Sequence, residues 1–283
     1  MFLLIMYEHL YEKEFWFSPR REELEDILVN TEPRGKRVLA VASYGYPLAF
    51  LAEGASFVAS FDVDPKKVAW NLFLRTMIQK CEYDEALRFM QQRANQEFIC
   101  SIAEEVPEEY RTFAVLLAEK YLGIEETDNK IRCEMIPEEK KLFNVYPFVR
   151  DSKTYQQVKE AIKKGCWTIE EAEFLQFVER EASNNKTYDV VYASTLRSWM
   201  NIHIENEQNF RDKYDIPLSN AIDIILTENG VFYEAIIPPE NFGGALSPLQ
   251  PFSNEIYPFL DVVLCTSNTD LLAQPYIGTK IAT

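Results

Sequence analysis

Asp62 closes the apolar run Phe57-Val58-Ala59-Ser60-Phe61, and Asp64 follows two residues later, directly before Pro65. A carboxylate at the tip of a strand can accept hydrogen bonds from both hydroxyls of a ribose. Upstream, the run Val38-Leu39-Ala40-Val41-Ala42 breaks at Ser43-Tyr44-Gly45-Tyr46-Pro47. A glycine in such a turn lets the backbone approach a ligand that a Cβ would obstruct. Strand, glycine-containing turn, helix, strand, acid is the first half of a nucleotide-binding βαβ unit. The turn holds one glycine rather than three, and any doubly wound fold repeats this rhythm, so the pattern alone does not establish a nucleotide site. An NAD-dependent oxidoreductase needs G-x-G-x-x-G; the chain has Ser43-Tyr44-Gly45-Tyr46-Pro47-Leu48, which makes that class remote.

Two acids two apart on an extended strand end share a face. Asp62, which ends the apolar run, is assigned to the ribose. Asp64 is assigned to the N-cap of a helix that Pro65 opens, with Val68, Leu72, Met77 and Ile78 at helical spacing.

The elements that must position these residues follow in order. Arg20 to Val29 reads as a helix, and Glu32-Pro33-Arg34-Gly35 as the turn into the first strand. Tyr83 to Tyr121 reads as helical and charged, divided at Pro107, and Ile131 to Ile136 as a short strand. Residues 83–165 lack the strand-helix rhythm of their flanks and are expected to be a helical insertion after the second strand, a lid candidate. The rhythm returns with a strand at Cys166 to Ile169, a helix at Glu170 to Glu181, and a strand at Tyr188 to Ala193. Leu196 to Ile204 follows at the crevice. Leu218 to Leu226 is a helix expected to stop at Asn229-Gly230 as a C-cap pair. Val231 to Ile237, Leu260 to Cys265 and Tyr276 to Ala282 are the remaining strand candidates. The whole chain, 1–283, reads as a single α/β domain.

Composition narrows the chemistry. A net charge of −16 and a pI near 4.7 argue against a grip on nucleic acid or an anionic membrane. Two histidines cannot build a His-rich metal site, so no metal is expected, and no G-x-S-x-G elbow precedes either histidine as a Ser-His-Asp hydrolase would need. Five separated cysteines read as reduced thiols of a cytoplasmic protein. The opening Met-Phe-Leu-Leu-Ile-Met is too short for a membrane span, and no later apolar run reaches spanning length.

The order of strands and helices, with Tyr188-Asp189-Val190-Val191-Tyr192 as a late strand, resembles class I methyltransferase-like domains that bind S-adenosylmethionine. More closely, EKEFWFSPRREELEDIL, VLAVASYGYPLAFL, DVDPKKVAWNLFLRTMIQKCEYDEALRFM and YDVVYASTLRSWM resemble the betaine-lipid 3-amino-3-carboxypropyl transferases. The resemblance covers about two-thirds of the chain in separated blocks. Asp64-Pro65 stands where that family has Asn-Pro, and Thr195 where it has Asn after the fourth strand. The implied fold is Rossmann-like: a mostly parallel sheet with helices on both faces.

The implied donor is S-adenosylmethionine and the implied acceptor a small molecule or a lipid-like one. By the same resemblance, Ser43, Tyr44 and Gly45 line the methionine and ribose side of the ligand. Glu173, or less readily Glu171, sits near the adenine, and Ser194, Thr195 and Trp199 face the sulfonium. Tyr44, Tyr46 and Trp199 are candidates to shield that cation, and Arg197 to pair with the donor's carboxylate. Transfer of the aminocarboxypropyl group stands ahead of methyl transfer, and a non-catalytic binding relic of the fold remains the third reading.

Overall fold

The computed structural model describes residues 21–43, 45–91, 95–122, 146–194, 211–236, 257–264 and 274–281. Among these, seven strands form one sheet: β1 (Arg37–Val41), β2 (Phe57–Asp62), β3 (Trp167–Glu171), β4 (Tyr188–Ser194), β5 (Leu226–Ile236), β6 (Leu260–Leu264) and β7 (Gln274–Lys280). Their spatial order is β3-β2-β1-β4-β5-β7-β6. The pairs β1–β2, β2–β3, β1–β4 and β4–β5 run parallel, while β7 is antiparallel to both β5 and β6. This order, with its late reversed strand, is that of the Rossmann-like class I methyltransferase fold. The strand sequence reverses direction across the sheet between β1 and β4, and ligands of such sheets lie outside the carboxyl ends of the strands at that switch point.

Period-2 alternation splits the central strands between two apolar layers. Val38, Ala40, Val58, Val190, Tyr192 and Tyr233 point to one side. There they meet α1 (Arg21–Thr31), α2 (Tyr46–Ala52), α3 (Pro65–Lys80), α4 (Tyr83–Met90), α5 (Gln96–Ala103), α6 (Glu108–Leu122) and α7 (Ser152–Lys163). Leu39, Ala59, Phe61, Val191, Ala193 and Phe232 point to the other, against α8 (Phe174–Ser183) and α9 (Ile216–Ile225). The sheet is thus covered on both faces, which is why β1 and β2 are near-continuous apolar runs.

Within 83–165, α7 belongs to the layer on the sheet. Gln157 Nε2 donates to the Leu51 and Ala52 carbonyls at 3.1 and 3.3 Å, and Tyr155 Oη donates to the Cys81 carbonyl at 2.9 Å. Helices α4, α5 and α6 are the additional elements, and Ala86, Ile99, Ile102, Ala114 and Ala118 bury into the same core. Glu104 to Pro107 separate α5 from α6, as the proline predicts.

Two expectations are corrected. Glu170 and Glu171 were expected to open a helix, yet they end β3, in register with Phe61 and Asp62. The ladder runs one residue further, with the Ala172 amide donating to the Asp62 carbonyl at 3.0 Å, and α8 starts only after Glu173. Asn229-Gly230 does not cap α9, which ends at Ile225. The pair lies within β5, where Tyr188 faces Leu226 but Val190 faces Val231, so extra residues are accommodated as a bulge. Asn229 takes φ +61° there, and a Cβ on Gly230 would stand 2.8 Å from the Thr227 carbonyl oxygen. The same residue types serve a left-handed kink in a strand as readily as a helix end.

The β2–β3 edge is tied by a buried polar bridge. Trp167 Nε1 donates to Ser60 Oγ at 2.9 Å, and Ser60 Oγ donates to the Thr168 carbonyl at 2.9 Å. Ser60→Ala leaves the indole N–H without its acceptor, so it is expected to cost about 1–3 kcal/mol. The urea midpoint measures this, with an unchanged slope showing that the fold is otherwise intact. Among the described residues, no helix is long and apolar enough to cross a membrane.

Candidate active site

The carboxyl edge at the switch point is built from three chain turns. After β1, the Ala42 amide donates to the Phe61 carbonyl at 2.7 Å, extending the ladder past the strand. The Ser43 carbonyl then accepts from the amides of Gly45 (2.6 Å) and Tyr46 (3.0 Å), folding the turn into the start of α2 with Pro47 in its first turn. Gly45, just before α2, has φ 166°, outside the left-handed region that favours glycine.

After β2, Asp62 is 2% exposed. Its Oδ1 accepts from the Asp64 amide at 3.0 Å, and Lys67 Nζ stands 3.3 Å from its Oδ2. The lysine is at ion-pair distance of Oδ2, an oxygen that accepts no other hydrogen bond among the described residues. Burial raises the Asp62 carboxyl above its ordinary 3.8; Lys67 and the Asp64 amide pull in the opposite direction and do not overcome it. Asp64 caps α3 as expected: its Oδ1 accepts from the Lys66 amide at 2.9 Å, with Pro65 at the first position.

Asn71 joins these two turns. Fully buried on α3, its Nδ2 donates to the carbonyls of Ala42 and Lys67, both at 2.9 Å, so the loop after β1 hangs on the helix after β2. Sequence reading missed it and missed Lys67. The available signal was spacing: Asn71 lies three residues after Val68 and one before Leu72, on the apolar face of α3, where a polar residue needs a buried partner.

After β4, Ser194 takes φ +52°, a left-handed value that costs a non-glycine residue about 1–3 kcal/mol. The kink stands where β4 leaves the sheet beside β1, and its register partner on β5 is the fully buried Glu234, a carboxyl that sequence reading also passed over. Burial and Glu234 together raise the Tyr276 hydroxyl. Tyr46 lies inside rather than on the rim: it is 4% exposed, with its ring 5.0 Å from that of Tyr192, which also packs on Phe50 and Tyr233. Glu173 caps α8 through Oε2, which accepts from the Gln176 amide at 3.0 Å.

The structure therefore brings Ser43, Gly45, Tyr46, Asp62 and Asp64 to one edge, with Ser194 across the switch point and Glu173 beyond β3. Tyr44, Thr195, Arg197 and Trp199 lie outside the described residues.

No family model matches the chain, and no curated protein matches it in sequence. Among solved structures, a Streptococcus mutans protein described as a SAM-dependent methyltransferase aligns at 12% identity and TM-score 0.35, over 92% of this chain and 47% of that one. The chain thus spans about half the length of that protein. N-methyltransferase NodS from Bradyrhizobium japonicum WM9 aligns at 9% identity and TM-score 0.41, over 96% and 99% of the two chains. An Escherichia coli protein, yhhF, described as a methyltransferase, aligns at 10% identity and TM-score 0.38, over 93% and 86%.

Proposed function

We propose that this chain is a transferase that takes S-adenosylmethionine as donor, its ribose held by Asp62. One observation carries the reading. At the tip of β2, one strand from the switch point, a buried carboxylate has one oxygen whose charged neighbour among the described residues is the Lys67 ammonium, 3.3 Å away, and which accepts no other hydrogen bond there. A buried carboxylate with acceptor capacity to spare is costly unless further donors reach it, and a ribose offers two hydroxyls side by side.

The site chemistry is positional. A sulfonium already activates the carbons bound to sulfur, so the residues need only hold the donor and set an acceptor in line with the breaking C–S bond. The acceptor's lone pair forms the new bond, and the C–S pair remains on sulfur as a neutral thioether. The turn of Ser43, Tyr44 and Gly45 lies to the methionine side in this reading, with Ser194, Thr195, Trp199 and Arg197 around the sulfur and carboxylate. Glu173 sits toward the base.

Transfer of the 3-amino-3-carboxypropyl group to a small or lipid-like acceptor is the finer proposal, and the resemblance of the separated motifs supports it. Methyl transfer is the alternative, since it differs only in which carbon on sulfur faces the acceptor. The Lys67–Asp62 pair favours a second reading, a non-catalytic binding relic, because a ligand must share or displace that lysine. Mass spectrometry after incubation with S-adenosylmethionine and a cell extract of small molecules and lipids separates the three. Methylthioadenosine is the expected by-product; S-adenosylhomocysteine assigns methyl transfer; donor that binds but is returned unchanged assigns the relic.

A further inference from the structure

Asp62 and Glu171 face each other in register at the ends of neighbouring parallel strands, so their side chains leave the sheet on the same face, about 4.8 Å apart at the backbone. The two differ in surroundings. Asp62 is buried, whereas Glu171 is exposed and is reached by a residue from far along the chain: Tyr110 Oη, on α6, donates to Glu171 Oε2 at 3.0 Å. Its Oε1 has no hydrogen-bond partner among the described residues. The neighbouring Glu170 is committed elsewhere, paired with both guanidinium nitrogens of Arg180.

We infer that Tyr110 is a positioning residue of the ligand site, fixing one oxygen of Glu171 so that the other is presented to the purine of a nucleoside held at Asp62. The inference rests on the proposed function. A nucleoside whose sulfur lies toward the β1/β4 switch point and whose ribose is at Asp62 lays its base toward β3, the strand that carries Glu171. A carboxylate oxygen accepts from the exocyclic amine of adenine and repels the carbonyl that replaces it in hypoxanthine. The Tyr110 hydroxyl is suited to hold such a carboxylate, because a phenol is protonated and donates at neutral pH. The additional helix α6 thereby becomes part of the recognition of the base, through a contact that spans 61 positions of sequence.

Calorimetry of the full chain with S-adenosylhomocysteine and with S-inosylhomocysteine tests this. Wild type is expected to favour the adenosyl ligand. Tyr110→Phe, which keeps the ring and removes the hydroxyl, is expected to weaken the adenosyl ligand about five- to tenfold and to narrow the preference, with the inosyl ligand little changed. Glu171→Gln is expected to narrow it as far, and the double variant no further. A merely structural role for Tyr110 weakens both ligands alike, and that result, or unchanged affinities, overturns the inference while leaving the donor assignment standing. Absence of adenosyl binding by folded wild type overturns both.

Discussion

Asp62→Asn will bind S-adenosylhomocysteine about 100-fold more weakly than wild type and yet melt at a higher temperature. The affinity loss follows from exchanging a charged acceptor for a neutral one that also carries an N–H, which forfeits about 3 kcal/mol of hydrogen bonding to two ribose hydroxyls. The stability gain follows from the sign of the carboxyl's shift. Burial raises Asp62 above 3.8, so the folded chain holds this proton more tightly than the unfolded chain does. Its contribution to stability is fully present below 3.8 and is lost as pH rises through the folded value. Above 3.8 this carboxyl is therefore a cost to the fold, which asparagine removes while its Oδ1 still accepts from the Asp64 amide. Lys67, 23% exposed, can turn its amine to water. A rise of a few degrees in Tm, about 2–4 °C per kcal/mol in a domain of this size, is expected at pH 7 and should vanish below 3.8. A variant that loses both binding and stability would instead mark Asp62 as a structural ion-pair partner. Residues kept at a cost to stability are characteristic of working sites.

Phe61→Ala carries the largest expected loss of stability, about 3–5 kcal/mol. The ring is 1% exposed and lies between Phe174, parallel at 5.3 Å, and Phe177 at 4.8 Å, so its removal leaves a cavity bounded by a sheet on one side and α8 on the other. Neither wall can collapse without pulling β2 from its register with β1 and β3. Because Phe61 immediately precedes Asp62, the variant at temperatures where it stays folded should also bind S-adenosylhomocysteine less well. Urea unfolding provides the measurement, with Leu116→Ala as the comparison: that side chain is 57% exposed, and its truncation is expected to change stability by less than about 0.5 kcal/mol.

Much of the frame was legible because local rules agree with the global fold. The apolar runs of β1 and β2 needed no partner to be recognised, and the Asp64-Pro65 cap is a local motif that the structure reproduces bond for bond. What escaped were pairings between distant segments. Asn71 is an ordinary helical asparagine until the Ala42 carbonyl, 29 positions away, is seen to need a donor. Tyr110 and Glu171 carry no signal separately; only the packing of α6 beside β3 joins them. Lys67 could be placed one turn into α3, yet not on the Asp62 carboxylate, since a long flexible side chain has several reachable partners. Glu170 and Glu171 were misread because a charged tail on a short edge strand looks like the first turn of a helix, and only register with Phe61 and Asp62 decides between them. Asn229-Gly230 announced a left-handed backbone correctly, but its setting, strand bulge or helix end, is fixed by the ladder to β4.

The central claim is that a carboxylate at the tip of β2 holds the ribose of an adenosyl sulfonium. Titration of the wild-type chain with S-adenosylmethionine in a calorimeter at pH 7 measures this most directly. Saturable heat at one ligand per chain, absent for the 2′,3′-dideoxyribose analogue, is the result expected of Asp62. Equal heats for the two ligands, or none from a chain that circular dichroism shows to be folded, would contradict it.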